Sequence, residues 1–302
     1  MTYEFEMNIT GPFDLLHESQ FFGGWLTTNN GNSIVLAMPI EGWHDSAAVV
    51  LSQQEDRIHG LVYGEAAIAE KAWQQALACL SLDIDGSAWE EVGKRDEFIG
   101  ALQKEYHYLR PVLFYSPFEA AVGLLIGHRI SIRQRRTIMQ HMAKEYGEPF
   151  VIDGQTFYAF PDPHKLLTIS TFPGLNDEKM LRIHGAAKAA LDGLLDRKYL
   201  RSLPPKEALE KLLELRGVGA FYSEGILYRG AGLVTDITRD INTRTAIQQA
   251  YGLEDLPNNK QIDDLLEKWQ PYPMWCTVLL HVWMRRERGG FSMAQRNTSK
   301  KR

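Results

Sequence analysis

In "LLELRGVGAFYSEGIL" (Leu212–Leu227) a helical run of apolar residues stops at Arg216-Gly217-Val218-Gly219 and resumes at once. Glycines permit backbone angles that other residues resist. The stretch therefore predicts helix, tight turn, helix, with the second helix opening at Gly219 or just after it. The first amides of that helix have no internal acceptor and lie at the positive end of its dipole. Such an end suits an anion, a phosphate in particular, gripped without reading a base. A Gly-x-Gly between helices is also a common plain connector, so its surroundings must decide between the two.

The 302 residues are 44% hydrophobic, comfortable for two domains or one large one. The net charge of −5 carries no global nucleic-acid signal, so any such surface must be local. Two cysteines, Cys79 and Cys276, are too few for a four-cysteine zinc site or an iron–sulfur cluster. They suggest no secreted disulfide framework either. "MTYEFEMNIT" lacks the pattern of a signal peptide, and no apolar run approaches bilayer length. These readings predict a soluble, cytoplasmic protein with no membrane partner.

The first part reads as mixed. "TYEFEMNI" alternates like a strand, and "GPFDLLHESQFF" reads as a short helix. "SIVLAMPI", "AAVVLSQ" and "IHGLVYG" are short and β-rich, and "EAAIAEKAWQQALACLSL" is an amphipathic helix. From about Trp89 helical periodicity dominates and strand signals are scarce. In "SPFEAAVGLLIGHRISIRQRRTIMQHMAKEYG", Ser116 is a candidate N-cap with Pro117 first and Glu119 third in its helix. The expected organisation is an N-terminal mixed domain over 1–88, a helical body over 89–290 and a basic flexible tail over 291–302.

Downstream of the hairpin the chain continues "YRGAGLVTDITRDINTRTAIQQAYG", placing Asp240 at the head of another helix. Leu215, Gly217, Val218, Gly219, Asp240, Asn242 and Arg244 together resemble the signature of the helix-hairpin-helix DNA glycosylases with a Gly/Pro-rich loop and an aspartate. Arg216 stands where that family usually has Pro. "SPFEAAVGLLIGHRIS", "YAFPDPHKLLTIS" and "WQPYPMWCTVLLHVW" resemble further family segments. The mixed N-terminal part with "GPFDLL" resembles the extra domain of the bacterial 3-methyladenine DNA glycosylase II branch. The resemblance implies an α+β fold: a mainly helical glycosylase body preceded by a mixed domain with an antiparallel sheet.

The resemblance also implies chemistry. A glycosylase flips its base into a pocket and builds positive charge on the sugar. A carboxylate beside that sugar stabilises the cation and orients water. Asp240 matches that catalytic residue; it also reads as the N-cap of "INTRTAIQQA", and both can hold together. Bifunctional relatives place a Schiff-base lysine just after the hairpin, but this chain has Phe221, so a monofunctional enzyme is expected. Phe221, Tyr222, Trp283 and His281 match positions around the base pocket, where aromatic faces attract cationic alkylated bases. The plain alternative is that Phe221, Tyr222 and Trp283 pack the core and that His281 is a structural histidine; for Trp283 the pocket is preferred. Gly217, Val218 and Gly219 would hold a backbone phosphate, with Arg244 nearby.

His128 and Arg129, in "GHRISIRQRR", match the wedge region that fills the gap left by the flipped base; the plain alternative is a solvated basic helix start. The carbonyls of Leu213, Leu215 and Val218 match a monovalent-cation site for Na+ or K+, and no other cofactor is implied. The expected partner is double-stranded DNA with damaged bases, met by a monomer near the nucleoid. The expected activity is hydrolytic release of alkylated purines in base excision repair. Two rivals stand beside it: a glycosylase for oxidised or deaminated bases, and a lesion-binding protein without catalysis.

Overall fold

The computed structural model describes residues 1–17, 27–29 and 33–287. The basic tail, and the part of "GPFDLLHESQFF" beyond residues 15–17, lie outside the described residues. Five strands, β1 (Thr2–Asn8), β2 (Thr27–Asn29), β3 (Ser33–Pro39), β4 (Ser46–Gln54) and β5 (Arg57–Tyr63), form one antiparallel sheet in the order β1-β5-β4-β3-β2. Strand β1 alternates exposed and half-buried residues, as an edge does when only one face is covered. Strand β3 is buried along almost its whole length because both its faces are covered. Helix α1 (Ala69–Cys79) lies against β4 and β5. On the other face Val35, Ala37 and Ala48 pack against Ile152 and Phe157.

Ile152 and Phe157 belong to a second, two-stranded sheet that the sequence reading missed. Strands β6 (Pro149–Ile152) and β7 (Gln155–Tyr158) form a hairpin inside the helical region. Its turn is Asp153-Gly154, both at positive φ (50° and 79°). Asp-Gly between alternating residues is a strong hairpin signal. The signal was present in "FVIDGQTFY" and was masked by the helical periodicity on either side.

The helical body comprises α2 (Trp89–Arg95), α3 (Glu97–Glu105), α4 (Pro117–Gly127), α5 (Ile132–Tyr146), α6 (Pro163–Leu167), α7 (Asp177–Leu191), α8 (Arg197–Ser202), α9 (Pro205–Leu213), α10 (Ala220–Glu224), α11 (Ile241–Ala250), α12 (Asn259–Trp269) and α13 (Pro273–Glu287). Side chains of Ser116, Asp162, Asn176, Asp240 and Asn258 cap their helices, each accepting an amide from the third helical residue. The buried core runs without a break from the large sheet into these helices. The change of character at 88/89 is therefore a change of secondary structure inside shared packing. Trp43 Nε1 donates to the Ala190 carbonyl at 3.1 Å, and the Arg110 guanidinium binds the Thr10 and Pro12 carbonyls across the same junction. Among the described residues no helix is long and apolar enough to cross a membrane.

Candidate active site

Helix α9 ends at Leu213 and α10 begins at Ala220, with Gly219 as its N-cap. Gly217 turns the chain at φ 84°, an angle that favours glycine, and a Cβ there would also press on the Arg182 side chain, with Cδ at 2.6 Å. The turn closes through Val218 N donating to the Leu215 carbonyl at 2.9 Å. Arg216 has a role of its own. Its Nε and terminal nitrogen donate to the two carboxylate oxygens of Glu178 at 3.2 and 2.7 Å, tying the hairpin to α7. Arg182 holds the same carboxylate from α7 at 2.8 Å.

Beyond α10 the backbone widens into a π-helical stretch, Gly225–Ala231, and returns through an irregular segment to Asp240. Asp240 Oδ1 accepts the Thr243 amide at 2.8 Å, and Oδ2 accepts from Asn242 Nδ2 at 3.3 Å. The cap fixes the carboxylate at the head of α11. Behind it, Thr243 Oγ1 lies 2.8 Å from Thr238 Oγ1 and 3.4 Å from His281 Nε2. Burial pushes the His281 imidazole down to about 4, against the pull of the Asp240 carboxylate. His281 is therefore neutral near pH 7 and lies beside the hydroxyl of the residue whose amide Asp240 accepts. Asp236 is engaged elsewhere: it accepts from Tyr228 Oη at 3.3 Å and pairs with Arg239 at 3.4 Å.

Glu224 is an acid the sequence reading did not single out. It sits three residues beyond Phe221 on α10. Burial pushes its carboxyl up, the Asp240 charge adds to that, and an Arg239 backbone hydrogen bond opposes it. The helical offset from Phe221 was the available signal.

An aromatic and cationic mouth adjoins the hairpin. Phe221 is 55% exposed on the first turn of α10, an unusual place for so large an apolar side chain. Its ring lies 5.8 Å from Tyr222, which meets His128 edge-on at 6.2 Å. Burial and the neighbouring Arg129, Arg182 and Lys179 all push the His128 pKa down, which marks a local concentration of positive charge. Arg129 is exposed and held at φ 60° between α4 and α5. A non-glycine residue there costs about 1–2 kcal/mol. Ile130 N bonded to the Gly127 carbonyl, and the Ser131–Gln134 capping box of α5, hold the corner in place.

No model of a protein family matches the chain. A Bacillus subtilis protein named DNA-3-methyladenine glycosylase is 22% identical over 205 residues, 66% of this chain and 67% of that protein. The 3-methyladenine DNA glycosylase of Archaeoglobus fulgidus superposes with a TM-score of 0.74 at 18% identity, over 95% of this chain and all of that one. The fold is that of this solved DNA glycosylase. A Clostridium acetobutylicum 8-oxoguanine glycosylase/lyase bound to DNA also superposes, with a TM-score of 0.60 at 16% identity over 87% of this chain and 98% of that one.

Phe221, Tyr222 and His128 stand together beside the hairpin, and Asp240 and His281 meet at Thr243 at the head of α11. Two residues sit differently from expectation. Trp283 stands edge-on to Phe98 at 5.1 Å, and Phe98 in turn meets Tyr251. On α13, Trp283 is two residues from His281 and so points away from the face His281 turns to Thr243. Arg244 was expected near phosphate. Its guanidinium instead binds the Arg239 and Pro257 carbonyls and Asn259 Oδ1, so it braces the loop that carries Asp240.

Proposed function

We propose that the protein is a monofunctional DNA glycosylase that hydrolyses the N-glycosidic bond of alkylated purines. The observation that carries this reading is Asp240: a carboxylate fixed by a helix cap, with a neutral His281 behind it, at the end of the irregular segment that follows the hairpin. The same carboxylate stabilises the sugar cation as the base departs and orients the attacking water. Neutral His281 keeps a competing positive charge away from that sugar.

Duplex DNA is the proposed partner of a monomer. The amides of Gly217 and Gly219, on either side of the Val218 amide that closes the turn, take a phosphate at the positive end of α10. The carbonyls of Leu213, Leu215 and Val218 offer neutral oxygen donors of the kind that suit Na+ or K+. Phe221 and Tyr222 offer aromatic faces to a cationic base. The 3-methyladenine names of the Bacillus and Archaeoglobus proteins support alkylated purines as substrate. The likeness to an 8-oxoguanine enzyme places oxidised bases on the same test panel. Base release from duplexes carrying 3-methyladenine, 7-methylguanine, hypoxanthine or 8-oxoguanine is the measurement. The expected order puts the alkylated purines first, and release of 8-oxoguanine alone would refute it.

Two further outcomes follow from named side chains. Position 221 is phenylalanine, and Lys179 donates to the Ile126 carbonyl at 2.7 Å, so neither supplies a free amine for a Schiff base. Borohydride added during turnover will trap no protein–DNA adduct, and product strands will remain uncut at the abasic site until alkali is added. Arg129→Ala removes the side chain aimed outward from the strained corner. Its activity on lesions in duplex should fall at least tenfold while activity on single strands changes by less than threefold. Equal losses on both substrates would show that Arg129 does not act as a wedge.

A further inference from the structure

Helix α4 stops at Gly127, and the chain turns through His128 and Arg129 before α5 begins at Ile132. The last carbonyls of a helix find no donor within it and carry the negative end of its dipole. One of them here has a donor from another helix: Lys179 Nζ, on α7, donates to the Ile126 carbonyl at 2.7 Å. Lys179 is the third residue of α7, and its own amide is held by the Asn176 cap at 2.9 Å. The side chain therefore starts from a fixed point.

The ammonium is placed unlike that of an ordinary surface lysine. It is half-buried, and burial together with the neighbouring Arg182 pushes its pKa down. Withdrawing a charge from water costs free energy unless a dipole or counter-charge meets it. The carbonyl end of α4 supplies that dipole. The preceding residue reaches the other way: Glu178 accepts from Arg216 of the hairpin and from Arg182. Two adjacent side chains in the first turn of α7 thus hold two separate loops, the hairpin and the corner that carries Arg129.

The corner has three ties. On the α5 side the Ser131–Gln134 capping box holds it, and at its centre Ile130 N donates to the Gly127 carbonyl at 3.2 Å. On the α4 side the backbone bond from His128 N to the Leu125 carbonyl is long, at 3.4 Å, and the short bond is that of Lys179. Extruding a base costs unstacking energy, and the backbone behind a wedge bears that load. We propose that Lys179 is a positioning residue: from α7 it fixes the end of α4 so that Arg129 keeps its outward direction against the duplex. This rests on the wedge reading of Arg129 and adds what holds the wedge in place.

Lys179→Met keeps an unbranched stem and removes the donor. Losing one hydrogen bond to a charged group shifts a local equilibrium by about tenfold. Amide hydrogen exchange on the full-length protein should therefore quicken by about that factor at His128 and Ile130, with α7 itself unchanged. Base release from a lesion in duplex should fall by a similar factor, and release from a single strand by less than threefold. Lys179→Met added to Arg129→Ala should cost nothing further. Lys179→Arg keeps a charged donor and should stay near wild type in both measurements. Unchanged exchange at the corner would overturn the proposal, and so would equal losses on the two substrates. Losses that multiply with Arg129→Ala would also overturn it, since a lysine acting only by its charge on phosphate would give that result. So would Lys179→Arg falling as far as Lys179→Met. The wedge reading fails separately, if Arg129→Ala alone loses duplex and single-strand activity equally. Exchange needs no activity, so it tests Lys179 even if the protein releases no base.

Discussion

Asp240→Asn should give a folded protein that binds alkylated duplex DNA and releases base about 10² to 10³ times more slowly than wild type. Asparagine keeps the size of the side chain and caps helices as well as aspartate does. Its amide oxygen can accept the Thr243 amide that Oδ1 now accepts at 2.8 Å, so α11 keeps its start and the melting temperature should hold. What disappears is the negative charge beside the developing sugar cation. Binding should be retained or tightened, since a carboxylate near phosphates opposes association. Single-turnover base release and a binding titration, run side by side, separate the two effects. Asp236→Asn is the informative control. That carboxylate pairs with Arg239 and accepts from Tyr228, so its loss should cost some stability and little rate. A collapse of rate in Asp236→Asn with normal turnover in Asp240→Asn would move the catalytic assignment to Asp236.

The largest expected loss of stability belongs to Asp96, far from Asp240 in sequence. Its side chain is buried. It accepts the Ile99 amide at 3.1 Å, Tyr251 Oη at 2.6 Å and Trp269 Nε1 at 2.9 Å. One carboxylate thus caps α3 and anchors the ends of α11 and α12. Asp96→Ala would leave three donors unpaired, the Ile99 amide and Trp269 Nε1 buried and Tyr251 Oη half-buried. Each such donor costs about 1–3 kcal/mol, so a total of roughly 4 kcal/mol is expected. That corresponds to a fall in melting temperature on the order of 10 °C. Because Asp240 opens α11 and Tyr251 follows its end, the same change should also loosen the carboxylate. Base release should therefore fall at temperatures well below the melt. Tyr251→Phe removes one of the three bonds and should cost about 1 kcal/mol. A melting temperature within 2 °C of wild type for Asp96→Ala would refute this account of the junction.

Local signals along the chain were legible wherever a short-range rule operated. Ser116 caps α4 with Pro117 in its first turn, as the order of residue types requires. The alternation in "TYEFEMN" became β1, and Gly217 took the left-handed angle its place in the hairpin demanded. Asp240 was legible as both cap and candidate catalyst, and the helix start bears out the first of these. The β6–β7 hairpin was written in Asp153-Gly154 and overlooked. That was an error of weighting, since the signal itself is local.

Other features depend on residues distant in sequence. Whether an aromatic at a helical period faces a cleft or a neighbour is decided by the partner helix, so Trp283 met Phe98. An arginine at a surface offset serves whatever acceptors the fold brings within reach, so Arg244 turned inward to the Pro257 carbonyl and Asn259. Arg216, in the hairpin turn, found Glu178, 38 residues away. The packing of Val35 and Ala37 against Ile152 and Phe157 needs β3, β6 and β7 together, segments that no window of sequence contains. By itself the sequence determined the turns, the caps and the order of helices and strands, because backbone angles and end amides answer to the nearest few residues. Only the tertiary structure decided which charged and aromatic side chains face one another. Burial and electrostatic pairing act through space, between groups whose separation along the chain sets no rule for their distance.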